Sequence, residues 1–176
     1  MSPVFVPTLT ILAALQTQIS ALKLADGTTP AFAKVVYYDK PDLLRALQEL
    51  RVFDNRLCLI VPDGDRYENT TDGRVINGIV HRSIILLLAD RQPAVRQAAS
   101  TGDAQTPGVI ALNEIVVGAL YGSDLGLASV RVLPEHATPV QISDANRRDL
   151  PGREAWSLDL TVTAGRQRGY TDPRRT

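Results

Sequence analysis

Three acids crowd one short stretch of the chain: Asp63, Asp65 and Glu68. Gathered carboxylates are what a magnesium or calcium ion needs, but a calcium ion takes about six to eight oxygens in a set arrangement. The stretch lacks an Asp-x-Asp-x-Asp-Gly loop with its distant Glu, and Arg66 sets a positive charge in its middle. A solvated turn is the expectation, not a metal site. The two histidines, His81 and His136, have neither a second His nor a Cys at ligand spacing, so no zinc site is expected. The one thiol, Cys58, lies inside Leu57-Cys58-Leu59-Ile60-Val61. Such apolar flanks predict a buried, inert thiol with a raised pKa rather than a nucleophile.

Other chemistry has no foothold in the spacing. No Gly-x-Ser-x-Gly elbow, phosphate-binding Gly-rich loop or Cys-x-x-Cys pair occurs. The glycines of Gly122-Ser123-Asp124-Leu125-Gly126 follow a helical pattern, whereas a phosphate loop precedes a helix, where N–H groups are free. They predict a helix stop. The expectation is therefore a protein that is not an enzyme, carries no cofactor or metal, and works by fitting against other protein subunits.

Charge and hydropathy narrow the partners. Lys plus Arg (19) balances Asp plus Glu (19), without the basic excess by which a general nucleic-acid binder neutralises phosphates. A local excess lies at the end of the chain, where Arg166, Arg168, Arg174 and Arg175 face one acid, Asp172. It predicts a flexible basic tail over 166–176 that follows a single domain over 1–165. The longest apolar run, 84–89, is far short of the roughly 20 residues that cross a bilayer as a helix. With no basic start of a secretory signal and no second cysteine to pair with, synthesis in the cytosol is expected.

The elements that must carry these residues are legible from periodicity. Leu12, Leu15, Ile19 and Leu22 predict a helix over 8–23, broken at Asp26-Gly27. A strand is expected over 32–38. A second helix follows, capped by Asp39 and faced by Leu43, Leu44, Leu47 and Leu50. Residues 56–61 and 79–89 read as core strands around a polar stretch, 63–78, with Asp72-Gly73 as a hairpin turn; a projecting arm is expected there. After a connection with a helical turn at 94–99, Thr106 is placed as the cap of a third helix, with Pro107 at its first position and Val109, Leu112, Val116, Ala119 and Leu120 on its buried face. Two short strands, 129–133 and 139–142, precede a longer one over 154–164. There Trp156, Leu158, Leu160, Val162 and Ala164 alternate with polar neighbours, which places Trp156 in the core. The order predicts an α+β fold: a mostly antiparallel sheet, helices packed on one face, and a projecting β-hairpin arm.

This layout, ending in Gly152-Arg153-Glu154-Ala155-Trp156-Ser157-Leu158-Asp159-Leu160-Thr161-Val162, resembles the tail terminator (tail completion) proteins of tailed bacteriophages and related tail-like particles. The resemblance covers roughly residues 8–165 and rests on layout rather than signature residues. It implies a structural virion protein of the tail or neck, made in the host cytoplasm. Its subunits would close into a hexameric ring that caps the tail tube and joins it to the head connector. Implied partners are the chain itself, the tail tube protein and the head–tail connector proteins, with no membrane and no sequence-specific nucleic acid. No catalytic residue carries over. A ring subunit needs an element that crosses to its neighbour, and Arg66, Tyr67 and Arg74 of the arm combine charge with an interface-favoured aromatic. The alternatives are another neck component (a connector or stopper), a tube subunit, a regulator binding a small ligand or nucleic acid through the C-terminal arginines, and an enzyme built on Asp63, Asp65 and Glu68.

Overall fold

The computed structural model of the protein describes residues 6–37, 56–72, 75–91, 101–102, 107–140 and 153–166. Two helices and five strands follow one another as α1 (Thr8–Ser20), β1 (Lys34–Tyr37), β2 (Leu57–Asp72), β3 (Val75–Arg91), α2 (Gly108–Leu120), β4 (Val130–Pro139) and β5 (Arg153–Arg166). The strands form one sheet in the order β1-β2-β3-β5-β4. Only β1 and β2 run parallel; every other neighbouring pair is antiparallel. The α+β class expected from the sequence is the class found. The second helix, the turn at 94–99 and the arginines beyond Arg166 lie outside the described residues.

Both described helices pack on the same face of the sheet. Ile11, Leu12, Leu15 and Ile19 of α1 and Val109, Leu112, Val116 and Leu120 of α2 meet Cys58, Ile60, Ile84, Leu86, Leu88, Leu158, Leu160 and Val162 in one cluster. Burying a leucine or isoleucine of this kind contributes about 1.5–3 kcal/mol, so this stripe dominates the favourable side of folding. On the other face, Leu57, Leu59, Val61, Leu87, Ala89 and Ala155 form a second, smaller cluster. A sheet dry on both faces explains why the runs at 57–61 and 84–89 show no alternation, while β5, whose Ser157, Asp159, Thr161 and Thr163 are partly exposed, alternates cleanly. Cys58 sits at the base of β2, fully buried, and burial pushes its thiol up. Trp156 shares the face of Leu158 but is only half-buried, at the sheet's rim opposite Pro139 and Leu88; alternation gave its face, not its depth.

The ends of elements depart from the sequence reading for local reasons. Helix α1 stops at Ser20 rather than at residue 23, because Leu22 folds back to accept a 2.8 Å hydrogen bond from the Ala31 N–H. The Asp26 carboxylate closes that turn, accepting from the N–H groups of Thr28 and Thr29 at 2.8 Å and from the Thr29 hydroxyl at 2.5 Å. At the start of α2, Pro107 occupies the capping position instead of the first helical one, and Gly108 begins the helix at φ +72°, a conformation that glycine adopts without a Cβ penalty. The strand expected at 129–133 runs on as β4 to Pro139, its register shifting between Pro134 and His136, and the strand expected at 139–142 meets it at Pro139 alone, residues 141–142 lying outside the described residues. A bulge inserts one residue and bends the strand, and Pro134, which lacks an N–H, is tolerated because β4 is an edge.

Candidate functional site

The polar stretch after Val61 is not a loop between two strands but the continuation of both. Strand β2 outruns its partner β1, which pairs only with Leu57 to Ile60, and stays in register with β3 as far as Asp72 opposite Val75. Asp72, expected in the turn, is thus the last rung of the ladder, and two residues lie between it and Val75. Strand β5 accompanies β3 outward only to Arg166 opposite Gly78. The expected arm therefore has two halves. Its inner half, out to Glu68 opposite Ile79, is built into the sheet. Its outer half is a two-stranded ribbon among the described residues, about 10–14 Å long at the usual rise per residue.

One extra residue sets which way each side chain of this region points. The register of β2 on β3 shifts between Pro62 and Gly64, leaving Asp63 as a bulge. Beyond it Asp65 and Tyr67 face the helices, and Arg66 and Glu68 face the other side. On the helix side, Arg82 of β3 is 4% exposed and lies opposite Asp65. Its Nη1 donates to Asp65 Oδ2 at 2.7 Å and to Thr8 Oγ1, and its Nη2 donates to the Val6 carbonyl at 3.3 Å. Among the described residues Arg82 Nε is buried with no acceptor. Tyr67 stands outside this cluster, 56% exposed, its hydroxyl 3.3 Å from Asp65 Oδ2.

On the opposite side the surface is an open groove of about 560 Å³ lined by Gly64, Asp65, Arg66, His81, Ser83, Leu133, Glu135, Thr161 and Thr163. His81 Nε2 lies 3.0 Å from Glu68 Oε2. Ser83 Oγ donates to Asp63 Oδ2 at 3.3 Å. Ile79, 48% exposed, lies opposite Glu68 across the strands.

The three clustered acids therefore do not converge on one point. Asp63 is bound to Ser83, Asp65 to Arg82 and Glu68 to His81, on two faces of the sheet. His136 is exposed on β4 opposite Asp159, in a different row from His81. Of the residues expected to reach a neighbour, Arg66 and Tyr67 are exposed on opposite faces of β2, and Arg74 lies outside the described residues. Arg82 was missed by the sequence reading. Its signal was a lone cation in phase with Val80 and Ile84, both 1% exposed.

The glycine cluster after α2 stops the helix, as expected, and does more. Gly122, Leu125, Gly126 and Ser129 all adopt positive φ. The loop binds back on β4: Gly122 N–H donates to the Val132 carbonyl and Val132 N–H to the Ser123 carbonyl, both at 2.9 Å. Ser123 Oγ also donates to Gln18 Oε1 at 3.0 Å, while Gln18 Nε2 donates to the Ala119 carbonyl at 3.1 Å. This ties α1 to the end of α2.

No family model and no curated protein matches the chain. Among solved structures, it is similar to a chain of the virion of a native gene transfer agent particle, at 14% identity over 89% of this chain and 95% of that one, with a TM-score of 0.47.

Proposed function

We propose that the chain is a structural subunit of a phage-like virion, and more specifically a tail terminator: a ring-forming protein that caps the tail tube and joins it to the head connector. It acts by assembly and not by catalysis. The observation that carries this reading is the β2–β3 ribbon. A hairpin that outruns both flanking strands, bearing an exposed aromatic and exposed charges at its root, is an element built to meet another chain. In the ring each ribbon reaches the adjacent subunit, with Arg66 and Tyr67 at the contact, and six such heterologous contacts close without leaving a free end. The tube protein lies below the ring and the connector above it.

Electron microscopy of the purified protein mixed with its tail tubes tests the reading. Rings seated on tube ends, and tubes that no longer elongate, are the expected result. Decoration along the tube wall with bare ends would remove it.

A further inference from the structure

The sheet face away from the helices changes character past Val61. Toward the core it is closed by the second apolar cluster. Farther out, Gly64, Ser83, Thr161 and Leu133 make one row across β2, β3, β5 and β4. Three of these four carry a short side chain or none, so the row is the floor of the groove, with Arg66 beside it on β2 and Glu135 beside it on β4. A glycine inside a strand weakens it, by entropy and by packing nothing. At Gly64 neither the backbone nor the neighbours call for one: its φ is not positive, and a Cβ there would meet nothing within 4 Å. What remains is the other reason for glycine in a strand, close approach of a second backbone.

We propose that the outer ribbon of one copy lies in this groove of the next copy, its backbone over Gly64. The inference rests on the ring reading and adds where each ribbon lands. A copy does not fill its own groove, because its ribbon leaves the rim in the plane of its own sheet. The groove spans three strand spacings, about 14 Å, and the outer ribbon is about 10–14 Å long. Both are of mixed character. Threonine methyls and Leu133 give the groove apolar surface between hydroxyls, and the ribbon's sequence sets Val75 and Ile76 among Asn69, Thr70, Thr71 and Asn77. Asp72 is the one charge in the described part of the ribbon, and among the described residues no acid pairs with Arg66 on the groove wall. Arg66, at the contact in the ring, is then a wall of the receiving groove. Ribbon and groove are different surfaces of the subunit, so each copy gives one contact and receives one, as a closed ring requires.

Gly64→Val in the full chain tests this. Open space above Gly64 admits the side chain and a β-branched residue suits a strand, so the variant should unfold at or above the parent's temperature. Sedimentation velocity over a concentration series should show the parent assembling beyond a dimer and Gly64→Val staying monomeric. The chain with residues 69–78 replaced by a two-residue turn keeps its groove but has no ribbon, and alone it should stay monomeric too. Mixed with Gly64→Val, which keeps its ribbon, it should form a 1:1 pair and nothing larger, since one ribbon and one groove remain. Cross-linking locates the contact: Asn69→Cys or Thr70→Cys, combined with Thr161→Cys, should join one copy to the next under mild oxidation. Within one chain these positions lie more than about 15 Å apart along the strands, beyond the roughly 7 Å that a disulfide bridges, and Cys58 is buried. A parent that stays monomeric or stops at a dimer, a Gly64→Val protein that assembles like the parent, a mixture that stays monomeric, or no cross-link at either ribbon position would each overturn the proposal. Cross-linked rings that leave tubes bare uphold it and remove the terminator reading; capped tubes without the cross-link do the reverse.

Discussion

Arg82 brings a full charge into the helix side of the sheet, and Asp65 of β2, Thr8 of α1 and the Val6 carbonyl just before α1 converge on it. Removing one partner of a buried pair leaves the other uncompensated. Because the Asp65 side chain keeps about a quarter of its exposure (27%), the loss is milder than for a fully buried acid. Arg82→Met is expected to lower stability by about 2–3 kcal/mol, and the double change with Asp65→Asn to recover part of it; urea unfolding midpoints read both. At the surface, Asp26 makes a different use of charge. Three donors from Thr28 and Thr29 hold its pKa down to about 2. A carboxyl depressed in the folded state stabilises it above the unfolded pKa, near 3.9, and that stabilisation fades as pH falls through about 2. An NMR titration should place the Asp26 midpoint near 2. Asp26→Ala should be less stable than the parent at neutral pH and indistinguishable from it at the acid end. The Asp26 turn was legible in the sequence as a break. The Arg82 cluster was not, because Asp65 reaches it only through a bulge that no local pattern announces.

At the scale of elements, periodicity reads the two described helices and catches the strands in pieces. The stripe of Ile11, Leu12, Leu15 and Ile19 follows from spacing alone. The core strands expected at 56–61 and 79–89 stop short of the ribbon, because residues 63–68, exposed on both faces of β2, lack the apolar alternation by which a strand is recognised. Likewise the strand expected at 129–133 stops short of Pro134, whereas a bulge carries β4 past that residue, which has no N–H, to Pro139. The ribbon's two halves can be separated by experiment. Replacing residues 69–78 by a two-residue turn joins Glu68 to Ile79, which already face each other, at little entropic cost. The shortened protein should unfold as cooperatively as the parent, by thermal scan, yet fail to cap tubes. Capping by the shortened protein would make the outer ribbon dispensable.

Across the whole molecule, stability is centred on β3. It lies between β2 and β5, and from Ile84 to Ala89 it is covered on both faces by the two apolar clusters. Local opening exposes least at the edges and most at such a centre. Native-state hydrogen exchange should therefore show the amides of residues 84–89 exchanging only by global unfolding. The amides of 75–77, in the two-stranded ribbon, should exchange by local opening at a rate the global stability does not set. This gradient was partly visible in the chain as an unbroken apolar run that becomes polar toward the ribbon. Which strand lay in the middle was not visible, since sheet order is set by long-range pairing.

The bulge at Asp63 also bears on how this chain can vary in length. Asp63 is the extra residue between the Pro62–Ile84 and Gly64–Ser83 pairs, so losing it would restore regular alternation and leave every later pair in place. Asp65 would still meet Arg82, and Arg66 would keep to the other side. Losing one residue between Gly64 and Glu68 instead would exchange the faces of everything that follows on β2. Farther out, beyond Glu68, adding one rung to each strand merely lengthens the ribbon. Related chains should therefore differ freely in ribbon length, in matched steps on β2 and β3, and can lack the bulged residue, while the count of residues from Gly64 to Glu68 stays fixed.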